Sequence, residues 1–197
     1  DEIARECGCK AYIADPVVVD EFPMKARISG FPGIKRESIF HALNQKATAR
    51  QYAASVGKKY EDMNLIVAHL GGGISIGAHQ KGKVIDVNNA LNGEGPISPE
   101  RAGTIPAEAL VNLCFSGKYD IRQIKKMIHG KGGLTGYLGT NDMITIESKA
   151  EAGEEPYRTL FEAMLYTVSK QIGAMYVAMM GKVDAIILTG GMAHGDY

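Results

Sequence analysis

The chain has 197 residues, enough for one domain with a real core, or for one domain and part of another. Apolar residues make up 45% and charged residues 22%, which excludes disorder as the main description. The 22 basic and 22 acidic side chains cancel, disfavouring an electrostatically driven nucleic-acid binder, and no apolar run reaches the ~18 residues of a membrane helix.

Residues 1–8 read as the end of a helix. Asp1-Glu2-Ile3-Ala4 looks like helix interior with no initiator Met, so a piece of a longer protein is expected. The apolar run from Ala11 to Ala14 reads as a strand stopping at Asp15-Pro16, and residues 17–35, with Pro23, Gly30, Pro32 and Gly33, as loop. A helix is predicted over 36–56, with Gly57 past its end. The period then changes. Residues 65–68 form a buried-strand run, Ile74, Ile76 and Ala78 alternate with Ser75 and Gly77, and residues 84–87 return after a turn at 80–83. Residues 88–104 read as an ordered loop. Pro106 and Gly117 bracket one helix, and Asp120 with Gln123 forms a capping-box pattern ahead of a second at 121–129. Residues 130–139, with five glycines, are predicted as loop, and 142–151 as a short helix. Leu160, Met164, Val168, Ile172, Met175 and Met179 give a helix over about 156–180 an apolar stripe for core packing. A strand at 183–188 ends at Gly190-Gly191. Cys7, Cys9 and Cys114 are an odd set without CxxC spacing, read as reduced thiols of a cytoplasmic protein, with Cys114 packed inside its helix.

Glycine is the departure in composition, at 24 of 197 residues or about 12% against roughly 7% on average. HLGGG at 69–73 lies between two strands. Three glycines let the backbone approach a ligand and permit positive φ, so that successive N–H groups can converge on phosphate oxygens; a ligand-free hairpin is the competing reading. Neither GxxxxGK[ST] nor a GxGxxG opening a helix is present. Gly190-Gly191 is a second glycine turn at the carboxyl end of a strand, where α/β proteins place ligands.

The succession Ala14-Asp15-Pro16, IFHALN at 39–44, HLGGGISIGAH at 69–79, VIDVNNALNGEGPISPERAG at 84–103 and LTGGMAHG at 188–195 resembles the acetate/butyrate kinase family, in the family's order. The butyrate branch fits best, because acetate kinases carry Asn at the Gly72 position and a run ending Thr-Arg-Ser-Gly around Arg101. The resemblance implies an α/β fold, a ribonuclease H-like or actin-like ATPase lobe with a mixed sheet and helices. Residues 1–60 would be the C-terminal part of the first lobe and the interlobe segment. Residues 61–197 would be most of the second, nucleotide-binding lobe, incomplete at its C-terminus. The implied reaction moves a phosphoryl group between ATP and a short-chain carboxylate with Mg²⁺, giving an acyl phosphate and ADP. A homo-oligomer is implied, with no nucleic acid or membrane partner. The carboxylate is already ionised at neutral pH, so the chemistry needs cations and positioning more than a base.

By the same resemblance, Arg101 would clamp the transferring phosphoryl group. His41 and His69 would hydrogen-bond its oxygens, Asp15 would position Mg²⁺ through water, and Phe40 would line the acyl pocket. Gly71, Gly72 and Gly73, with Gly190 and Gly191, would bind nucleotide. Asp86 and Glu100 are further carboxylates without an assigned role. Read from the residues alone, Asp15 can equally cap residues 16–20, His69 can be structural, and Arg101 can be an exposed loop arginine. Two other classes compete: a non-catalytic nucleotide-binding lobe in the actin or chaperone manner, and an oligomerisation module built on the long helix. Arg101 in its SPERAG context and the Phe40-His41 pair favour the kinase. Without the family's first phosphate hairpin, the isolated 197-residue chain is expected to turn over little or not at all.

Overall fold

The computed structural model describes residues 2–194. Strand β1 (Asn64–Leu70) explains the architecture. Its period of two puts Leu65 and Val67 on one face and Ile66 and Ala68 on the other, and all four are fully buried. A strand buried on both faces belongs in the middle of a covered sheet. β1 pairs antiparallel with β2 (Ile74–Gln80) and parallel with β4 (Ala185–Thr189). β3 (Lys83–Val87) extends the sheet beyond β2, with a register shift at Ala78/His79, for an order of β3-β2-β1-β4.

Helices cover both faces of the sheet. Before the sheet come α1 (Glu2–Glu6), α2 (Met24–Arg27) and α3 (Ala42–Ser55). After β3 come α4 (Ala107–Cys114), α5 (Ile121–Ile128), α6 (Gly133–Leu138), α7 (Met143–Glu151) and α8 (Tyr157–Ala178). Ile66, Ala68, Ile74, Ile76 and Ala78 pack against Leu134 of α6, Ile146 of α7, and Met164, Val168 and Met175 of α8. The apolar stripe of α8 is therefore core, as its spacing predicts. On the opposite face α3 covers Leu65 and Val67 with Ala49 and Ala53, joined by Tyr60 and Met63. A third cluster of Phe22, Phe40, Ala42, Val84 and Val87 fastens the segment before α3 to β3.

Five expectations need correction, the first being the loop over 17–35, which contains the single turn of α2. Residues 11–14 form no strand: Tyr12 and Ile13 are 82% and 86% exposed, and no described strand pairs with them. The predicted helix over 36–56 starts only at Ala42, because residues 36–41 are drawn out by Arg36, whose N–H donates to the Arg27 carbonyl, and by the Phe40 N–H, which donates to the Val17 carbonyl. The glycine-rich stretch 130–139 contains α6. Its first turn is anchored from outside, as Leu134 N–H donates to the Ser98 carbonyl and Thr135 N–H to the Pro99 carbonyl, so tertiary bonds override poor propensity. Cys114 is exposed, as are Cys7 and Cys9, so it is not a packing residue. Asp1 of the first predicted helix and Gly195 of the last motif lie outside the described residues.

Candidate active site

The parallel pairing of β1 and β4 brings both glycine turns to the same end of the sheet. The β1–β2 turn is Gly71-Gly72-Gly73, and Gly190 follows β4. The two turns use glycine differently. Gly190 has φ +93°, and a Cβ there would run into the Leu70 carbonyl at the end of β1. None of Gly71, Gly72 and Gly73 adopts a positive φ, which corrects the expectation that this turn exploits the left-handed region. What the triple glycine provides is room. A Cβ on Gly73 would collide with the Arg101 guanidinium, whereas one on Gly72 would only touch the Glu100 carboxylate at 3.4 Å.

Arg101 is fixed from several sides. Its backbone N–H donates to Ser98 Oγ at 3.1 Å, Nη1 donates to the Ala90 carbonyl at 2.5 Å, and its backbone bridges to His129 after α5. Ser98 Oγ in turn donates to the Gly72 carbonyl at 2.8 Å, tying the arginine loop to the glycine turn. Arg101 is thus a positioned residue, and the exposed-loop alternative falls.

His41 precedes α3 and His69 ends β1. Their rings stack with centroids 3.7 Å apart and an interplanar angle of 12°. Burial lowers the His41 pKa from its ordinary 6.5 to about 4, with His69 and the Arg101 cation pushing the same way. Burial also lowers His69. Burial thus favours the neutral form of both rings, and so does their close stack. His41 Nδ1 lies 2.8 Å from Ser75 Oγ, and His69 Nδ1 lies 2.7 Å from Asn44 Oδ1.

Phe40 is 2% exposed. With Val17, Ile39, Ala90 and Leu91 it lines a pocket of about 130 Å³ that His41 and Arg101 close on the polar side. The wall bearing Ala90 and Leu91 is held by Arg36, whose Nε donates to Glu94 Oε1 at 2.6 Å and whose Nη2 donates to the Val87 carbonyl. Asp86 faces the same guanidinium at 2.9 Å, and burial raises its pKa against the pull of Arg36. Asp86 thus belongs to this brace, while Glu100 accepts from Asn141 Nδ2 beneath the glycine turn. A second pocket, apolar and about 290 Å³, opens beside Gly190 and is lined by Leu70, Ile74, Phe161, Met164 and Met192. Asp15 has φ +42° and its carboxylate is 2.8 Å from Arg50 Nη1, so it is a paired turn residue at the start of the segment that delivers Val17. No group of three or more His, Cys, Asp or Glu able to hold a metal occurs among the described residues.

Sequence spacing did not reveal Arg36, Asn44, Gln45, Ser75 or His79 as partners of the site. Their polar atoms meet across 25 to 58 residues, and only the fully buried histidine late in β2 was a usable signal.

The architecture is that of short-chain carboxylate kinases of the actin-like ATPase fold. The acetate kinase of Porphyromonas gingivalis superposes with a TM-score of 0.83 at 26% identity, over 93% of this chain and 48% of that one. A propionate kinase from Francisella tularensis gives 0.79 at 26% identity, over 89% and 47%. Residues 21–195 match the Acetokinase family, and the chain belongs to that family. A curated relative in Phocaeicola vulgatus, named "Probable butyrate kinase", is 71% identical over all 197 residues. The chain spans 56% of that relative's length.

Proposed function

We propose that this chain carries most of the site of a carboxylate kinase that converts butanoate and ATP into butanoyl phosphate and ADP. The observation that carries the reading is the pocket of Val17, Ile39, Phe40, Ala90 and Leu91 with Arg101 and His41 at its polar end. An apolar tail fits such a wall, and a carboxylate at its mouth meets a guanidinium, the side chain best matched to planar oxygens. Its size is well below the roughly 300–1,000 Å³ of sites for larger ligands, which favours a short acid.

In this reading Arg101 neutralises charge that would otherwise keep the carboxylate and the terminal phosphate apart, and it grips the phosphoryl oxygens in transit. Neutral His41 donates a hydrogen bond to those oxygens, while His69, whose single proton on Nδ1 goes to Asn44 Oδ1, stacks on His41 and keeps its ring in place. Neither takes a proton, because a carboxylate nucleophile has none to give. The Gly71 to Gly73 turn offers backbone N–H groups to the phosphates, and the apolar pocket beside Gly190 receives the adenosine end. Mg²⁺ fits this chain only as an ion carried mainly by nucleotide phosphates and water, with Asp15 as one outer carboxylate; when bound, it neutralises phosphate charge. Residues 1–60 and 61–197 then contribute to two lobes closing on the reactants. A homo-oligomer in the cytoplasm completes the reading, and sedimentation of the purified protein tests the oligomer.

The test is acyl hydroxamate formation from ATP, Mg²⁺ and straight or branched acids of two to about five carbons, on a chain extended to the relative's full length. Butyrate should give hydroxamate at a rate well above acetate. Equal rates for all acids, or none, would overturn the substrate assignment.

A further inference from the structure

Beneath the stacked histidines runs a line of polar groups that the reaction as described does not use. Tyr60 Oη lies 2.7 Å from His79 Nδ1, and His79 Nε2 lies 2.9 Å from Gln45 Oε1. Gln45 Nε2 donates to the Ser75 carbonyl at 2.9 Å and to Ser75 Oγ at 2.8 Å, and Ser75 Oγ lies 2.8 Å from His41 Nδ1. Gln45, Ser75 and His79 are fully buried, and Tyr60 is 4% exposed. Bulk water does not reach these atoms, and each meets a partner in the protein.

One backbone atom sets the direction of the whole line. The Ser75 carbonyl can only accept, so the Gln45 atom facing it is the NH₂ and the opposite atom is the oxygen. That oxygen can only accept, so His79 carries its proton on Nε2, and its Nδ1 accepts from the Tyr60 hydroxyl. Ser75 Oγ already receives the Gln45 NH₂, and the His41 backbone N–H points at it from 3.4 Å. Its own proton is left for the one remaining partner, His41 Nδ1. Gly77 keeps this path open: a Cβ there would lie 2.5 Å from Gln45 Oε1 and 3.1 Å from His79 Nε2.

We infer that Gln45 and Ser75 are positioning residues that lock His41 in the tautomer with its proton on Nε2, aimed as a fixed hydrogen-bond donor into the pocket it shares with Arg101. A free neutral imidazole divides its proton between two nitrogens, whereas this one is pre-set by bonds running from Tyr60. The benefit to an incoming phosphoryl oxygen rests on the carboxylate-kinase reading; the tautomer does not.

The experiment is long-range ¹H–¹⁵N correlation NMR on the 197-residue chain with ¹⁵N-labelled histidine, whose five imidazoles are few enough to assign. The wild-type spectrum at neutral pH should show His41 and His79 as single Nε2–H tautomers. Ser75→Ala should replace the His41 pattern by the averaged shifts of two exchanging tautomers, and Gln45→Met should do so although the Ser75 hydroxyl remains. Thermal melting confirms that each variant is folded. An Nδ1–H tautomer for His41 in the wild type overturns the inference without any variant, and so does an unchanged His41 pattern in folded Ser75→Ala. A correct tautomer in a chain whose full-length form makes no acyl phosphate would leave the inference standing and sink the kinase reading.

Discussion

At the scale of single residues, glycine acts here through the space its missing side chain leaves. A methyl group at Gly73 meets the Arg101 guanidinium, while one at Gly72 meets only the flexible end of Glu100. Gly73→Ala should therefore displace Arg101 and lower phosphoryl transfer on the order of 10²-fold, with Gly72→Ala nearly neutral. Steady-state rates of the two variants check this, and Gly73→Ala combined with Arg101→Ala should be far less than additive. The glycine cluster was legible as a turn between two strands. Its mechanism was not, because the colliding side chain comes from 28 residues further on. The buried histidines give a second prediction. His41 and His79 are lowered from 6.5 to about 4 and about 3, chiefly by burial. The unfolded chain binds protons at these sites as pH falls below about 6.5 and the folded chain does not, so stability drops from there toward pH 4 and, for His79, toward pH 3. Asp86, raised by burial, works in the opposite sense over part of that range. Urea midpoints should decline steadily between about pH 7 and 5, and His79→Gln should flatten the decline. A flat wild-type profile would contradict the buried neutral imidazoles.

At the scale of elements, sequence patterns were reliable where a segment carries its own signal. The capping box of α5 is fully formed, with Gln123 N–H donating to Asp120 Oδ1 and Asp120 N–H to Gln123 Oε1, each at 2.8 Å. The end of α5 supports the site, since Ala102 N–H donates to the Ile128 carbonyl and Gly130 N–H to the Glu100 carbonyl. Asp120→Ala should cost about 1 kcal/mol in urea unfolding and loosen the Arg101 loop, seen as faster hydrogen exchange at Ala102 and Gly130. A loss within error, with exchange unchanged, would mean that tertiary contacts alone hold α5. α6 was illegible because five glycines in ten residues argue for loop, while the bonds that start it come from Ser98 and Pro99. Residues 11–14 failed in the other direction: their composition suits a strand, but a strand needs a neighbour to pair with.

At the scale of the whole molecule, the central strand run, both glycine turns and the long helix were readable because burial on two faces and helical spacing are local properties. The assembly of Phe40, His41, His69 and Arg101 at one end of the sheet came from resemblance, and the geometry then gave it a pocket and a brace in Arg36. The central claim is that Arg101 holds the phosphoryl group during transfer. Its most direct test is the kinetics of Arg101→Ala in a chain extended to the relative's full length, with kcat and the Michaelis constants for ATP and butyrate measured separately. The account predicts a kcat lower by on the order of 10²–10³-fold with the ATP constant little changed. An unchanged kcat with only the butyrate constant raised would contradict it, and would make Arg101 a clamp for the bound acid alone.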